Sequence, residues 1–255
     1  MLIRILLLSL LAFTLHMPAE CQSALVKNQL ERADQLFLNG KYADARDEYL
    51  KIVNAGYHSA ALYYNTANAF YKTGQIPYAI LFYERALLLS PRDEDIRFNL
   101  NLANQIVIDR INPVNEFFIK RWIATAASSL GINGWAIISL VTFALLGVVV
   151  VFLYAKRSSR FRQFFFSFGI ILLVLWITSI SLSVVQSRIV RHGNYAIVFT
   201  PSVTAKSSPD NSGTDLFVVH EGLKVKITDQ VGSWIRIRLP DGNEAWVLAS
   251  DVEKI

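Results

Sequence analysis

Four histidines, one cysteine and twenty carboxylates are the groups with which this 255-residue chain could do proton, metal or nucleophile chemistry. Their spacing argues against all three. His16, His58, His192 and His220 are scattered, and none stands at metal-ligand spacing from another histidine or from Cys21. Asp93, Glu94 and Asp95 cluster, but acids ahead of an apolar run are how a helix starts. His220, in a β-rich run before Glu221-Gly222, reads as a structural residue. No Gly-x-Ser-x-Gly motif, phosphate-cradling glycine loop or dinucleotide fingerprint occurs. The expected chemistry is non-covalent recognition by a non-enzymatic chain, with no catalytic residue, metal or cofactor assigned.

Composition says where that recognition takes place. Apolar residues make up 53% of the chain, charged residues only 18%, and mean hydropathy is +0.35. A chain this apolar collapses, which excludes disorder, and one cysteine excludes a disulfide framework. The net charge of +5 resides next to the most apolar stretch. Residues 113–192 carry +7, while residues 24–112 are neutral and residues 193–255 carry −2. That distribution fits a membrane flank and not a nucleic-acid surface.

Two uncharged runs, residues 135–154 and 164–185, are long enough to span a bilayer at about 1.5 Å per helical residue across a core of about 30 Å. The short loop between them, residues 155–163, holds Lys156, Arg157, Arg160 and Arg162 and no acid. The positive-inside rule sends this loop to the cytoplasm and both polar segments to the opposite face. Residues 1–22 agree. Arg4 followed by a short apolar run reads as a secretory signal, and Pro18-Ala19-Glu20 ahead of Cys21 fits a lipobox badly. Neither span carries Asp, Glu, Lys, Arg or His, which argues against proton or ion translocation. Residues 111–134, with Phe117, Phe118, Trp122 and Ile123 beside Lys120 and Arg121, read as an amphipathic segment on the outer surface, and Trp135 and Tyr154 as interfacial anchors. The expected location is the bacterial inner membrane, crossed twice.

Residues 24–110 repeat with a period of 34. Ala33, Leu36, Gly40, Ala45 and Tyr49 return as Ala67, Phe70, Gly74, Ala79 and Tyr83, and Asn65 as Asn99. With Ala86 and Pro91 completing the second unit, this segment resembles the tetratricopeptide repeat (TPR). Small residues let its helices approach, aromatics fill the gaps, Gly74 turns the chain and Pro91 stops it. A third unit starts at Asp93 and is expected to run as a capping helix toward Ile108. Two and a half repeats fall short of the three or so such a stack usually needs. The domain must therefore lean on a partner, a second copy or the membrane segment. The resemblance implies a concave, protein-binding face on the first helices, carrying Asp34, Tyr64, Asn65, Asn68, Tyr71, Lys72 and Asn99. The two-carboxylate clamp of some TPRs is not matched, since its first-unit positions hold Leu30 and Asp34.

Residues 193–255 change to short β-rich runs separated by turn signals. Six strands are expected, near residues 195–199, 203–206, 216–220, 223–228, 234–239 and 244–248. The run from Val218 to Val225, then Trp234 to Leu239, then Gly242 to Val247, resembles a bacterial SH3 (SH3b) domain, with Ala245-Trp246 where the family has Gly-Trp. Alternation turns Ile235, Ile237 and Leu239 inward and Trp234, Arg236 and Arg238 outward, and these last three are the candidate ligand contacts. A two-residue Asp241-Gly242 hairpin would set Trp246 opposite Ile237 and inside the core.

The expected whole is a multidomain membrane protein: an all-α solenoid, two transmembrane helices and a small all-β SH3-like barrel. That order resembles the BatE-like proteins of the Bacteroides aerotolerance (Bat) operon. The resemblance implies an envelope complex with a MoxR-type ATPase and von Willebrand A-domain proteins. The expected function is a scaffold presenting both modules in the periplasm. The alternative is a sensor that binds peptidoglycan through the SH3b domain.

Overall fold

The 34-residue period is a geometric one. In a computed structural model of the chain, which describes residues 18–111, 118–155, 159–191 and 194–255, Gly40 and Gly74 end equivalent helices with φ of +75° and +78°. In each, the residue after the glycine donates back into the last turn: Lys41 N–H to the Leu36 carbonyl at 2.9 Å, and Gln75 N–H to that of Phe70 at 3.0 Å. This is a left-handed cap that glycine adopts without steric cost. The helices are α1 (Pro18–Leu38), α2 (Tyr42–Asn54), α3 (Ala60–Lys72), α4 (Ile76–Leu89) and α5 (Glu94–Asn104). Each packs on the next. Ala33, Ala45, Ala67 and Ala79 are fully buried, as close helix approach requires, and Tyr49 and Tyr83 are almost so. Phe70 stacks on Tyr78 and Phe82, with ring centroids 4.9 and 5.5 Å apart.

Helix α5 begins as expected. The Asp93 carboxylate accepts from the N–H groups of Asp95 and Ile96 at 3.1 and 3.2 Å. It stops at Asn104, four residues short of the expected end. The chain then turns so that Val107 joins the buried core.

The two apolar runs form α7 (Gly131–Ala155) and α8 (Ser159–Arg191). Both are long and apolar enough to cross a membrane, and only 11% of each one's most apolar window is buried inside the protein. Leu140, Phe143, Val151, Phe164 and Ile171 are exposed. The two helices pack on each other through Val149 and Leu172, with Phe152 stacked on Phe165 at 5.0 Å. A side chain at Gly169 would meet Val149 at 3.2 Å. Helix α8 is longer at both ends than the expected span, so Arg160 and Arg162 stand exposed on its first turn and not in a loop. Arginine is a good helix former, and nothing there breaks the helix. Lys156 and Arg157 lie outside the described residues, as does most of the expected signal segment.

The expected amphipathic segment is divided. Helix α6 (Phe118–Ser128) leaves Trp122 and Ile123 exposed and packs against α7 and α8. Residues 131–134 belong to α7. Trp135, expected as an interfacial anchor, donates its indole N–H to the Ala127 carbonyl at 2.9 Å and ties α6 to the span.

The C-terminal segment is a seven-stranded antiparallel sheet in the order β3-β2-β6-β5-β4-β1-β7. Its strands are β1 (Tyr195–Val198), β2 (Ser202–Lys206), β3 (Asp215–His220), β4 (Lys224–Val231), β5 (Trp234–Arg238), β6 (Glu244–Leu248) and β7 (Val252–Lys254). The last of these was not foreseen. Ala196, Val198, Val225, Ile235, Ile237, Ala245 and Val247 fill one core. The register of β5 and β6 corrects the expected one. Ile237 faces Ala245, and Trp246 faces Arg236. The connection is one residue longer than a two-residue hairpin. Leu239 N–H donates to the Asn243 carbonyl at 2.8 Å and Gly242 N–H to that of Leu239 at 3.0 Å. One extra residue moves every side chain to the other face. Trp246 is buried all the same, because the Arg236 guanidinium lies 4.7 Å over its ring.

Candidate binding sites

The first helices of the helical domain carry a row of polar side chains that bond to one another. The Tyr49 hydroxyl donates to Asp34 Oδ1 at 2.5 Å, and Asn65 Nδ2 donates to the same oxygen at 3.2 Å. One repeat later the Tyr83 hydroxyl donates to Asn68 Oδ1 at 2.5 Å, and Asn99 Nδ2 donates to the Tyr64 hydroxyl at 2.6 Å. Burial raises the Tyr49 phenol above its ordinary value, and the bonded Asp34 carboxylate raises it further. Burial likewise raises Tyr83, with Tyr64 and Tyr71 adding to it. Five of the seven predicted groove residues, Asp34, Tyr64, Asn65, Asn68 and Asn99, thus fall in three hydrogen-bonded groups along these helices. Tyr71 packs against the core beside them. Lys72 does not join: it is exposed, with its ammonium 6.0 Å over the Tyr42 ring. Asp34, Phe37, Leu38, Tyr49 and Asn65 line a cleft of about 310 Å³.

On the β-domain, Trp234 is half-buried and lines a second cleft of about 230 Å³ with Thr200, Ser202, Thr204, Lys206, Asn211 and Asp251. Of the two charged groups there, Lys206 is in an ion pair and Asp251 is held by a hydroxyl. Lys206 Nζ contacts Asp215 at 2.8 Å and the Gly213 carbonyl at 3.2 Å, and Asp251 accepts from the Thr200 hydroxyl at 2.8 Å. The cleft thus offers an indole face beside hydroxyl and amide groups and the Asp251 carboxylate. Arg236 and Arg238 are not in it. Arg236 covers Trp246, and Arg238 is paired with Glu244. Asp210 shapes the adjoining loop. The Ser212 hydroxyl, its largest influence, holds this exposed carboxyl below the usual carboxylate value.

A third surface was not anticipated: the seam between the helical and β-domains. Ile197 of β1 enters the core of the helical domain, and Phe199 meets Tyr78 edge-on with centroids 4.6 Å apart. Lys224 Nζ lies 2.7 Å from the Glu84 carboxylate, which is only 8% exposed. Arg85 donates to the Lys254 carbonyl at 2.7 Å. Asp109 accepts from the His220 backbone N–H at 2.6 Å and pairs with its Nδ1 at 2.9 Å, so the expected structural role of His220 is a bond between domains. Gly222, at φ +86°, leaves room for Val107, which a Cβ there would meet at 2.8 Å. The helical segment thus packs on this chain's own β-domain.

These strands have a relative. Residues 202–253 match the bacterial SH3 domain family. The match starts at the first residue of β2, so β1, the strand that reaches into the helical domain, lies outside it. No curated protein matches the chain. Among the described residues no group of three metal-ligating side chains comes together. The signal for the seam was present as the unbroken apolar run of α4, Ile80-Leu81-Phe82-Tyr83, but a repeat helix and an interface helix look alike along the sequence.

Proposed function

We propose that this protein is a non-enzymatic membrane-anchored scaffold that holds a TPR-type helical domain and a bacterial SH3 domain together on the outer face of the bacterial inner membrane. The observation that carries the reading is the seam. Two domains in contact must share one side of a bilayer, and the segment between them contains two helices long and apolar enough to cross it. Lys156, Arg157, Arg160 and Arg162 at the bend favour the cytoplasm for that end, which leaves both domains outside. The 34-residue geometry, the buried alanines and the glycine caps support the TPR reading. A partner-binding role follows from two clefts lined by recognition side chains. By resemblance, the partners are other Bat-type envelope proteins, von Willebrand A-domain proteins and a MoxR-type ATPase, in a system linked to stress or oxygen tolerance.

Single-cysteine labelling tests the sidedness. In a Cys21→Ser background, a membrane-impermeant maleimide applied to intact spheroplasts is expected to label the Ser233→Cys protein. The Ser158→Cys protein should react only after permeabilisation. The reverse pattern overturns the reading.

The second reading is a wall sensor, favoured by the Trp234 cleft. An indole face beside hydroxyl, amide and carboxylate groups suits stacking on a sugar or a short peptide. Full-length protein in detergent should sediment with purified peptidoglycan, and Trp234→Ala should abolish sedimentation without changing the melting temperature.

A further inference from the structure

Asp34 and Asn68 occupy the same place in successive units, and each accepts a tyrosine hydroxyl at 2.5 Å. The carboxamide of Asn68 accepts this bond at the same distance as the carboxylate of Asp34. The geometry of this bond therefore does not by itself require a negative charge at position 34. Among the described residues Asp34 has no ion-pair partner, because its bonds are to Tyr49 and Asn65 alone. Lys72 stands elsewhere, over Tyr42. The carboxylate opens on a cleft of about 310 Å³ whose apolar walls are Phe37 and Leu38, and Leu38 is 83% exposed.

An unpaired carboxylate beside exposed apolar wall matches a group with an aliphatic stem and a cationic head. We propose that this cleft receives a lysine or arginine side chain of a partner polypeptide, with the cation on Asp34 and the stem along Phe37 and Leu38. Asn68 makes the equivalent place in the second unit neutral, so the groove selects one basic side chain at one position. This rests on the reading of the helical domain as a partner-binding groove and names the chemistry that the groove selects.

The test uses full-length protein in nanodiscs and three fluorescein-labelled hexapeptides in which serine alternates with lysine, glutamine or glutamate. Anisotropy should show binding of the lysine peptide alone. Asp34→Asn should weaken it about tenfold, the loss of one charge-assisted contact, with an unchanged melting curve. Asp34→Glu should keep most of the affinity and serves as the readout should Asp34→Asn unfold. Asp44→Asn, which removes an exposed acid elsewhere on the domain, should have no effect. The proposal is overturned if Asp34→Asn binds like the parent, if Asp44→Asn loses as much, or if Asp34→Glu loses everything while folded. Photocrosslinking from position 64 separates this from the groove reading. Equal capture of the lysine and glutamine peptides leaves the groove standing and removes its charge selection, whereas capture of none removes both.

Discussion

Helices α2 and α4 hold the same position in successive repeats and present opposite outer faces. Asp44, Arg46, Asp47 and Glu48 of α2 stand where α4 has Tyr78, Ile80, Leu81 and Phe82. Inward, the two agree: Ala45 matches Ala79 and Tyr49 matches Tyr83, all buried. Outward, the half-buried Arg46 lies over the Phe70 ring and pairs with its exposed neighbour Asp47, while Ile80 is fully buried and lies against the β-domain beside Gly222. The repeat sets the inner face, where each helix meets its own hairpin. It leaves the outer face free, and the second unit has used that freedom to carry a neighbouring domain. A helix apolar on all sides must be covered on all sides.

Exchanging outer residues between the two helices is the strongest way to break that contrast. Ile80→Arg places the first unit's residue into the seam. It should cost about 3–5 kcal/mol, from a lost buried side chain and an unpaired charge. Arg46→Ile should cost less, about 1 kcal/mol, from the contact of its half-buried guanidinium with the Phe70 ring. Denaturant unfolding of the detergent-solubilised protein measures both, and equal effects would mean that α4 has no special outer face. A smaller effect, about 2 kcal/mol, is expected for Lys224→Met, which leaves Glu84 buried without its cation. The value lies below that of a fully buried pair because Lys224 keeps 39% of its side-chain surface. The protease sensitivity of residues 105–111 should rise in the same variant.

The least disruptive probe is pH, and it sharpens what the two helices share. Tyr49 and Tyr83 have phenols raised above the ordinary value of 10 by burial, with Asp34 adding to the first. A raised phenol favours the folded state while protonated. Its contribution is complete below the unfolded value and is lost as pH rises through the folded one. The melting temperature should therefore hold up to about pH 9 and decline above pH 10. Tyr83→Phe and Tyr49→Phe should each flatten that decline by a similar amount. A steeper decline in either variant would refute the shared role.

Much of this was legible along the chain, and the misses have specific causes. The six expected strands appear within a few residues of their places, because period-two alternation is local. Ile235 and Ile237 point inward as read. The Trp246 register failed because the 240–242 connection is one residue longer than the Asp241-Gly242 pair implies. Seam residues such as Tyr78, Ile80, Asp109 and Lys224 went unread because each satisfies a local role as well as an interdomain one. Of the arginines expected beside Trp234, one covers Trp246 and the other pairs with Glu244, contacts that alternation cannot distinguish from an open face.

Periodicity and composition alone determined the 34-residue hairpins, two membrane-length helices and an alternating β-segment. Those properties depend on residues two, four or thirty-four apart on one chain, and the backbone repeats enforce them. Only the tertiary structure decided that Glu84 meets Lys224 and Asp109 meets His220, pairs 140 and 111 residues apart. It alone decided that Asp34 bonds to Tyr49 and Asn65 and, among the described residues, meets no cation. Such pairings arise when two finished surfaces fit each other, and no local period encodes which distant surface that will be.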